Sequence, residues 1–336
     1  MSRCAASLLL LIVGLSPTRA AIAQTASLGE PVLIDAQYGS VGEQIAAPPQ
    51  PAAAPAPEQY LDLNYSDRTF CAGDYPDNYA PAWTWQVVPT GLIYRNYLAG
   101  PREPRLSAIY NWQVSGGTNR FADFTLGGHA GLLRYGSADG PRPGGFQLDV
   151  EGAAFPRLDP RNEWDLRGAD FRGGFPLTFG YGPWELKTGY YHISSHLGDE
   201  FLLKNPGYPR INYVRDEIAL GVAYRVRPPL RLFAEADYAF HRDGGARPWI
   251  FQFGVDCSQL EPTGFRGSPF LAVHGYVRQE VNWGGSISAQ AGWQWRGYGP
   301  GHLLRFGVNY FNGKTVQFSF LNDSEQLTGL GLWYDF

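Results

Sequence analysis

The sequence predicts an all-β protein, an antiparallel transmembrane β-barrel of about 12 strands. Three observations predict it. Apolar and polar residues alternate through most of the chain, an export segment stands at one end, and the other end closes on an aromatic residue.

The alternation is the strongest of the three. From about Ala82 onward, segments of roughly ten residues are separated by turn residues. Leu304, Phe306, Val308 and Tyr310 interleave with Arg305, Gly307 and Asn309. Asn312-Gly313 then suits a two-residue hairpin leading to Val316, Phe318 and Phe320. Ile287, Ala289, Ala291, Trp293 and Trp295 repeat the pattern, as do Leu232, Ala234, Ala236, Tyr238 and Phe240, and Phe146, Leu148 and Val150. Successive side chains of a strand point to opposite faces, so each segment has one apolar face with aromatics near its ends. Lipid and its interfaces demand such a face. The opposite set mixes signs: Asp149, Glu151, Asp170, Arg172, Glu185, Lys187, Glu217, Arg225, Glu235, Asp237 and Arg305. These residues predict a closed or narrow lumen filled with ion pairs.

Composition agrees. Only 17% of residues are charged, and the mean hydropathy of -0.26 is too polar for a helical membrane protein. A net charge of -4 provides no basic patch, which excludes nucleic acid as a partner.

At the N-terminus, Arg3 precedes an apolar run from Ala5 to Leu15, and Ala21-Ile22-Ala23 forms a small-x-small cleavage site. The run is too short to cross a bilayer, so residues 1–23 read as a signal peptide. Residues 24–60, rich in Pro and Ala, read as a disordered periplasmic leader. Residues 61–104 form a pre-barrel segment and 105–336 the barrel, giving a protein of the cell outer membrane. Roughly thirteen or fourteen strands are countable, and single-chain barrels use even numbers. Including Gly91–Leu98 raises the number to fourteen; omitting it and one other leaves twelve.

The chain ends Leu330, Leu332, Tyr334, Phe336. This resembles the C-terminal signal read by barrel-assembly machinery, which is the partner it implies. Cys71 and Cys257 survive signal removal and either pair in the oxidising periplasm or remain free thiols. A pair would place Cys257 at the periplasmic rim and the loop from Leu197 to Arg210 outside the cell. His129 and His241 read as lumen residues.

One segment looks chemical: Tyr190-Tyr191-His192-Ile193-Ser194-Ser195-His196-Leu197-Gly198-Asp199-Glu200. Parity from Trp184 puts His192, Ser194 and His196 on the lipid face. Folding the next strand back brings Asp216 opposite His192. Ser194, His192 and Asp216 then supply nucleophile, base and orienter of a lipid-ester hydrolase acting on outer-membrane lipids. The Gly198 amide, or a cation on Asp199 and Glu200, would serve the oxyanion. A second reading makes His192, His196, Asp199 and Glu200 a cation site, with Ca²⁺ suited to the carboxylates. A third leaves 192–200 as a rim loop of a narrow channel or structural barrel. No cofactor-binding motif is present.

His192-Ile193-Ser194 resembles the His-x-Ser motif that outer-membrane phospholipase A and lipid A 3-O-deacylase carry on their lipid-facing surface. The resemblance implies a hydrolase. This sequence departs from both in having Ser195 after the serine and a more distant third member. Over a longer stretch, Tyr94-Arg95-Asn96-Tyr97-Leu98-Ala99-Gly100-Pro101-Arg102-Glu103-Pro104-Arg105 and His192–Glu200 resemble the exported bacterial domain-of-unknown-function family 1207. That family implies export and no particular activity.

Overall fold

The computed structural model describes residues 83–115, 117, 119–137, 142–298 and 301–336. The signal-peptide and leader segments, and Cys71, lie outside the described residues. A short strand β1 (Thr84–Val87) precedes the barrel. The barrel strands are β2 (Leu106–Gln113), β3 (Arg120–Gly136), β4 (Gly145–Asp159), β5 (Asp165–Tyr181), β6 (Trp184–Leu197) and β7 (Tyr213–Arg227). They continue as β8 (Leu230–Asp243), β9 (Trp249–Cys257), β10 (Ser268–Arg278), β11 (Gly284–Arg296), β12 (Leu303–Lys314) and β13 (Ser324–Asp335). Each pairs antiparallel with its neighbours in the chain, and β13 pairs with β2, which closes a twelve-stranded barrel. β2 is short, and β1 pairs with the part of the β3 edge beyond it. No helix among the described residues is long and apolar enough to cross a membrane.

Closure follows from the alternation. The outward set is exposed and apolar, as in Leu304, Phe306, Val308 and Tyr310, while Arg305 and Asn309 between them are buried. Two aromatic bands ring the outside. Near one rim Trp83 packs on Tyr135 and Phe146, and Trp184 on Tyr224, with centroids 4.6 to 6.1 Å apart. Near the other, Tyr190, Phe240, Tyr238, Trp249, Phe251 and Trp283 form a second belt. Two aromatic girdles bounding an apolar band are what a bilayer and its interfaces select. The first rim carries the shortest turns, 182–183 and 228–229, together with Cys257 and Phe336; the second carries the longest connection, 198–212.

The lumen is full. Residues 91–105 run inside the barrel rather than along its wall. Arg134 Nη2 donates to the Gly91 carbonyl at 2.8 Å, and the Tyr97 hydroxyl to Glu235 at 2.6 Å. The Leu98 amide donates to Asp256 at 3.1 Å, and Tyr97 stacks on Phe233 with centroids 3.9 Å apart. Gly91–Leu98 is therefore part of a plug and not a strand; its backbone groups are satisfied by inward side chains instead of a ladder. From the other rim, a 3-10 turn at Phe318–Phe320 folds inward and stacks Phe318 on Tyr213, centroids 4.2 Å apart. This overturns the expected Asn312-Gly313 hairpin. Both residues lie inside β12; Val316 and Phe318 pack on inward residues of the barrel, and Phe320 packs on Phe201 and Tyr208 of the 198–212 connection. Arg102 joins plug to turn by donating to Asp170 at 2.6 Å and to the Val316 carbonyl at 2.7 Å.

Most of the mixed-sign inward set is buried in ion pairs as expected; Asp237 instead accepts from Gln252 at 3.0 Å. Lys187 meets Glu235 at 2.5 Å, Arg172 meets Glu151 at 2.6 Å, and Glu185 receives both Arg225 and Arg231. His129 is likewise buried, between Asn96, Asp149 and Glu151. His241 is not a lumen residue, for a reason that belongs to the site.

Candidate functional site

The site is built from three neighbouring strands on the outer face. In β6, Glu185, Lys187, Gly189, Tyr191, Ile193 and Ser195 point inward, and Trp184, Leu186, Tyr190, His192, Ser194 and His196 point outward. The β6–β7 register sets His192 opposite Asp216. The His192 Nδ1–H donates to Asp216 Oδ1 at 2.7 Å, because a carboxylate can only accept. The Tyr190 hydroxyl donates to the same oxygen at 2.7 Å. His192 lies one outward position beyond Tyr190, which packs on Phe240 in the aromatic belt, so the cluster sits at the edge of the apolar band.

A third strand supplies a second histidine. In β8 the inward Ala239 pairs with Glu217, but the next pair is His241 with Asp216, leaving Phe240 unmatched. One extra residue in a strand is a β-bulge, and it resets the alternation. Without it His241 would follow Ala239 into the lumen. With it, the side chain is 65% exposed and its Nδ1–H donates to Asp216 Oδ2 at 2.7 Å.

Ser194 shares the outward face with His192, two residues or about 6.8 Å further along the strand. Its neighbours across the sheet are Phe171 and Val214, and its hydroxyl has no hydrogen-bond partner among the described residues. With Nδ1 held by Asp216, Nε2 is the His192 nitrogen left to accept a proton. Ser195 faces the lumen and hydrogen-bonds Ser319 at 2.6 Å, which removes it from the site.

The remaining sequence-predicted residues do not converge. His196 stands outside against Phe171. Asp199 and Glu200 are exposed in the first turn of a short helix, α1 (Asp199–Lys204). Among the described residues no three His, Cys, Asp or Glu side chains form a metal-holding group, so His196, Asp199 and Glu200 do not fit a Ca²⁺ site. The Gly198 amide donates to the Arg167 carbonyl at 3.0 Å and is not free for an oxyanion. Cys257, at the end of β9, is a free thiol among the described residues; its expected partner Cys71 lies outside them.

Next to His192 the wall is hollow. The register runs Gly152, Gly173, His192, Asp216, His241 across five strands. A Cβ on Gly152 or Gly173 would meet a single atom, at 3.6 or 3.9 Å, so neither glycine is forced by packing. Phe171 and Phe175, both exposed, flank Gly173 along β5. Sequence reasoning missed the hollow, Tyr190 and His241. Parity already placed Tyr190 outward, whereas nothing local in the sequence announces the bulge.

Among solved structures, similar folds include outer membrane phospholipase A from Escherichia coli, at 11% identity and a TM-score of 0.46 over 69% of this chain and 93% of that one. The KdgM porin aligns at 9% identity and a TM-score of 0.39, covering 69% and 98%. The Salmonella typhi outer membrane phospholipase dimer with bound calcium aligns at 11% and 0.45, covering 69% and 91%. The likeness is one of fold alone, that of a β-barrel. No curated protein sequence matches the chain. The model of one family, described as protein of unknown function (DUF1207), matches residues 56–336, and the chain belongs to that family.

Proposed function

We propose that this barrel is a lipid-ester hydrolase of the outer membrane, exported by residues 1–23 and assembled through Phe336. One observation carries the reading. A histidine oriented by a carboxylate at 2.7 Å shares the lipid-facing surface with a serine two residues away. Polar side chains on that surface are expensive unless they have partners or a task. In the reaction, Ser194 Oγ attacks the ester carbonyl carbon while His192 Nε2 takes its proton. The C–O bond to the alcohol breaks, and the alcohol leaves with that proton. Water, deprotonated by the same nitrogen, then releases the acyl group and restores Ser194. Asp216 holds Nδ1–H, which keeps Nε2 basic and stabilises the imidazolium. The hollow at Gly152 and Gly173 gives an acyl chain room beside His192 without leaving the membrane.

A narrow channel is the second reading, since a cavity lined by Arg102, Arg105, Asn111, Gln290 and Asn309 remains beside the plug. Residues 91–105 and the inward turn at Phe318 narrow the path that a permeant would take. The test is acyl release from phospholipid and lipid A in mixed micelles, with and without added Ca²⁺. Release by the wild type and its loss in Ser194→Ala and His192→Ala supports the hydrolase. Equal release by all three, or none by the wild type, overturns it.

A further inference from the structure

We infer that His241 is a positioning residue for the His192–Asp216 pair, a role that rests on the hydrolase reading for its catalytic meaning but not for its geometry. Asp216 has two oxygens, and they are held from opposite sides. Oδ1 accepts from Tyr190 and His192 on β6; Oδ2 accepts from His241 on β8. A carboxylate anchored by one oxygen turns about its Cβ–Cγ bond. Anchored by both, it keeps Oδ1 aimed across the β6–β7 pair at the His192 ring. Charge-assisted bonds of this kind are about twice as strong as neutral ones, which suits a hinge that must not turn.

The bulge makes the role specific. It leaves one residue without a ladder partner and moves an imidazole from a polar lumen to the hydrocarbon side of the wall. A barrel that only needed to be a barrel gains nothing from either. Regular pairing would carry His241 inward beside Glu217, and Asp216 would lose its Oδ2 partner. Bulges recur where a side chain has to be re-aimed next to a site. Here the re-aimed side chain reaches the one carboxylate of the outer-face cluster. Because His241 touches Asp216 and not Ser194, it acts through the pair.

The experiment uses the full mature barrel in detergent micelles, with ¹⁵N-labelled histidine. Six histidines are present, and a His192→Gln sample assigns the relevant signals. The wild type should show His192 protonated at Nδ1 and unprotonated at Nε2. In His241→Leu that preference should give way to a mixture of tautomers, and His241→Gln, which returns an N–H donor, should restore it. Heat-modifiable mobility verifies that each variant is assembled; His241→Ala stands in if the leucine variant is not. On the activity side, His241→Leu should lower kcat by about ten- to a hundred-fold with KM nearly unchanged, by analogy with the loss of a partner that orients a metal-bound histidine, and His241→Gln should recover most of it. A His192 tautomer that ignores His241→Leu overturns the positioning role whatever the activity. A tautomer that depends on His241 in a protein without acyl release upholds the positioning role and overturns the hydrolase reading instead.

Discussion

Asp216 is a charge on a surface that faces lipid, and its three donors explain how it is tolerated. Asp216→Asn keeps the shape but lets the amide donate, which favours the wrong His192 tautomer. The same change in a serine protease triad lowers turnover about 10⁴-fold, so acyl release by Asp216→Asn should fall by at least about 10³-fold, measured in the micelle assay. Gly173 tests the hollow. Gly173→Leu fills space that no neighbour occupies, so the barrel should assemble normally while kcat/KM for long-chain lipid drops. An unaltered kcat/KM would show that the acyl chain lies elsewhere. Inside the barrel, Lys187 and Glu235 form a buried pair at 2.5 Å. Glu235→Ala leaves the ammonium uncompensated and should destabilise the barrel by about 3–5 kcal/mol, read as a lower temperature for the loss of compact gel mobility.

At the scale of elements, the plug and the inward turn depend on each other through Arg102. It bonds Asp170 and the Val316 carbonyl, and its guanidinium stacks 4.3 Å from the Phe318 ring centroid. Arg102→Ala should loosen both without opening the β13–β2 seam. In planar bilayers the wild type should conduct little, and Arg102→Ala should conduct more. High, steady conductance by the wild type would show that the plug does not close the lumen. Elements also mark where sequence reading fails. Val316, Phe318 and Phe320 alternate as regularly as any strand, but alternation reports only that one face is apolar. Lipid and a dry lumen both accept an apolar face, so a turn folded inward looks like a strand. Gly91–Leu98 misleads for a related reason: its apolar and aromatic residues pack on inward Phe233 and Ala223 rather than on lipid.

For the whole molecule, the barrel class and the inward or outward face of most side chains were legible because parity is local and most strands repeat it. Counting outward positions from Trp184 is enough to put His192 and Ser194 on the outer face, and the loop back is enough to bring Asp216 opposite. His241 was not legible, since a single unmatched residue at Phe240 shifts the face of everything after it and leaves the composition untouched. The central claim is that Ser194 is a nucleophile activated by His192 on that outer face. A long-chain alkyl sulfonyl fluoride, which needs an activated hydroxyl and reaches it from the membrane, measures this directly. After labelling in micelles, mass spectrometry of digests should find the adduct on Ser194 in the wild type and lose it in His192→Ala. No adduct in the wild type, or equal labelling of Ser194 in both proteins, would contradict the account.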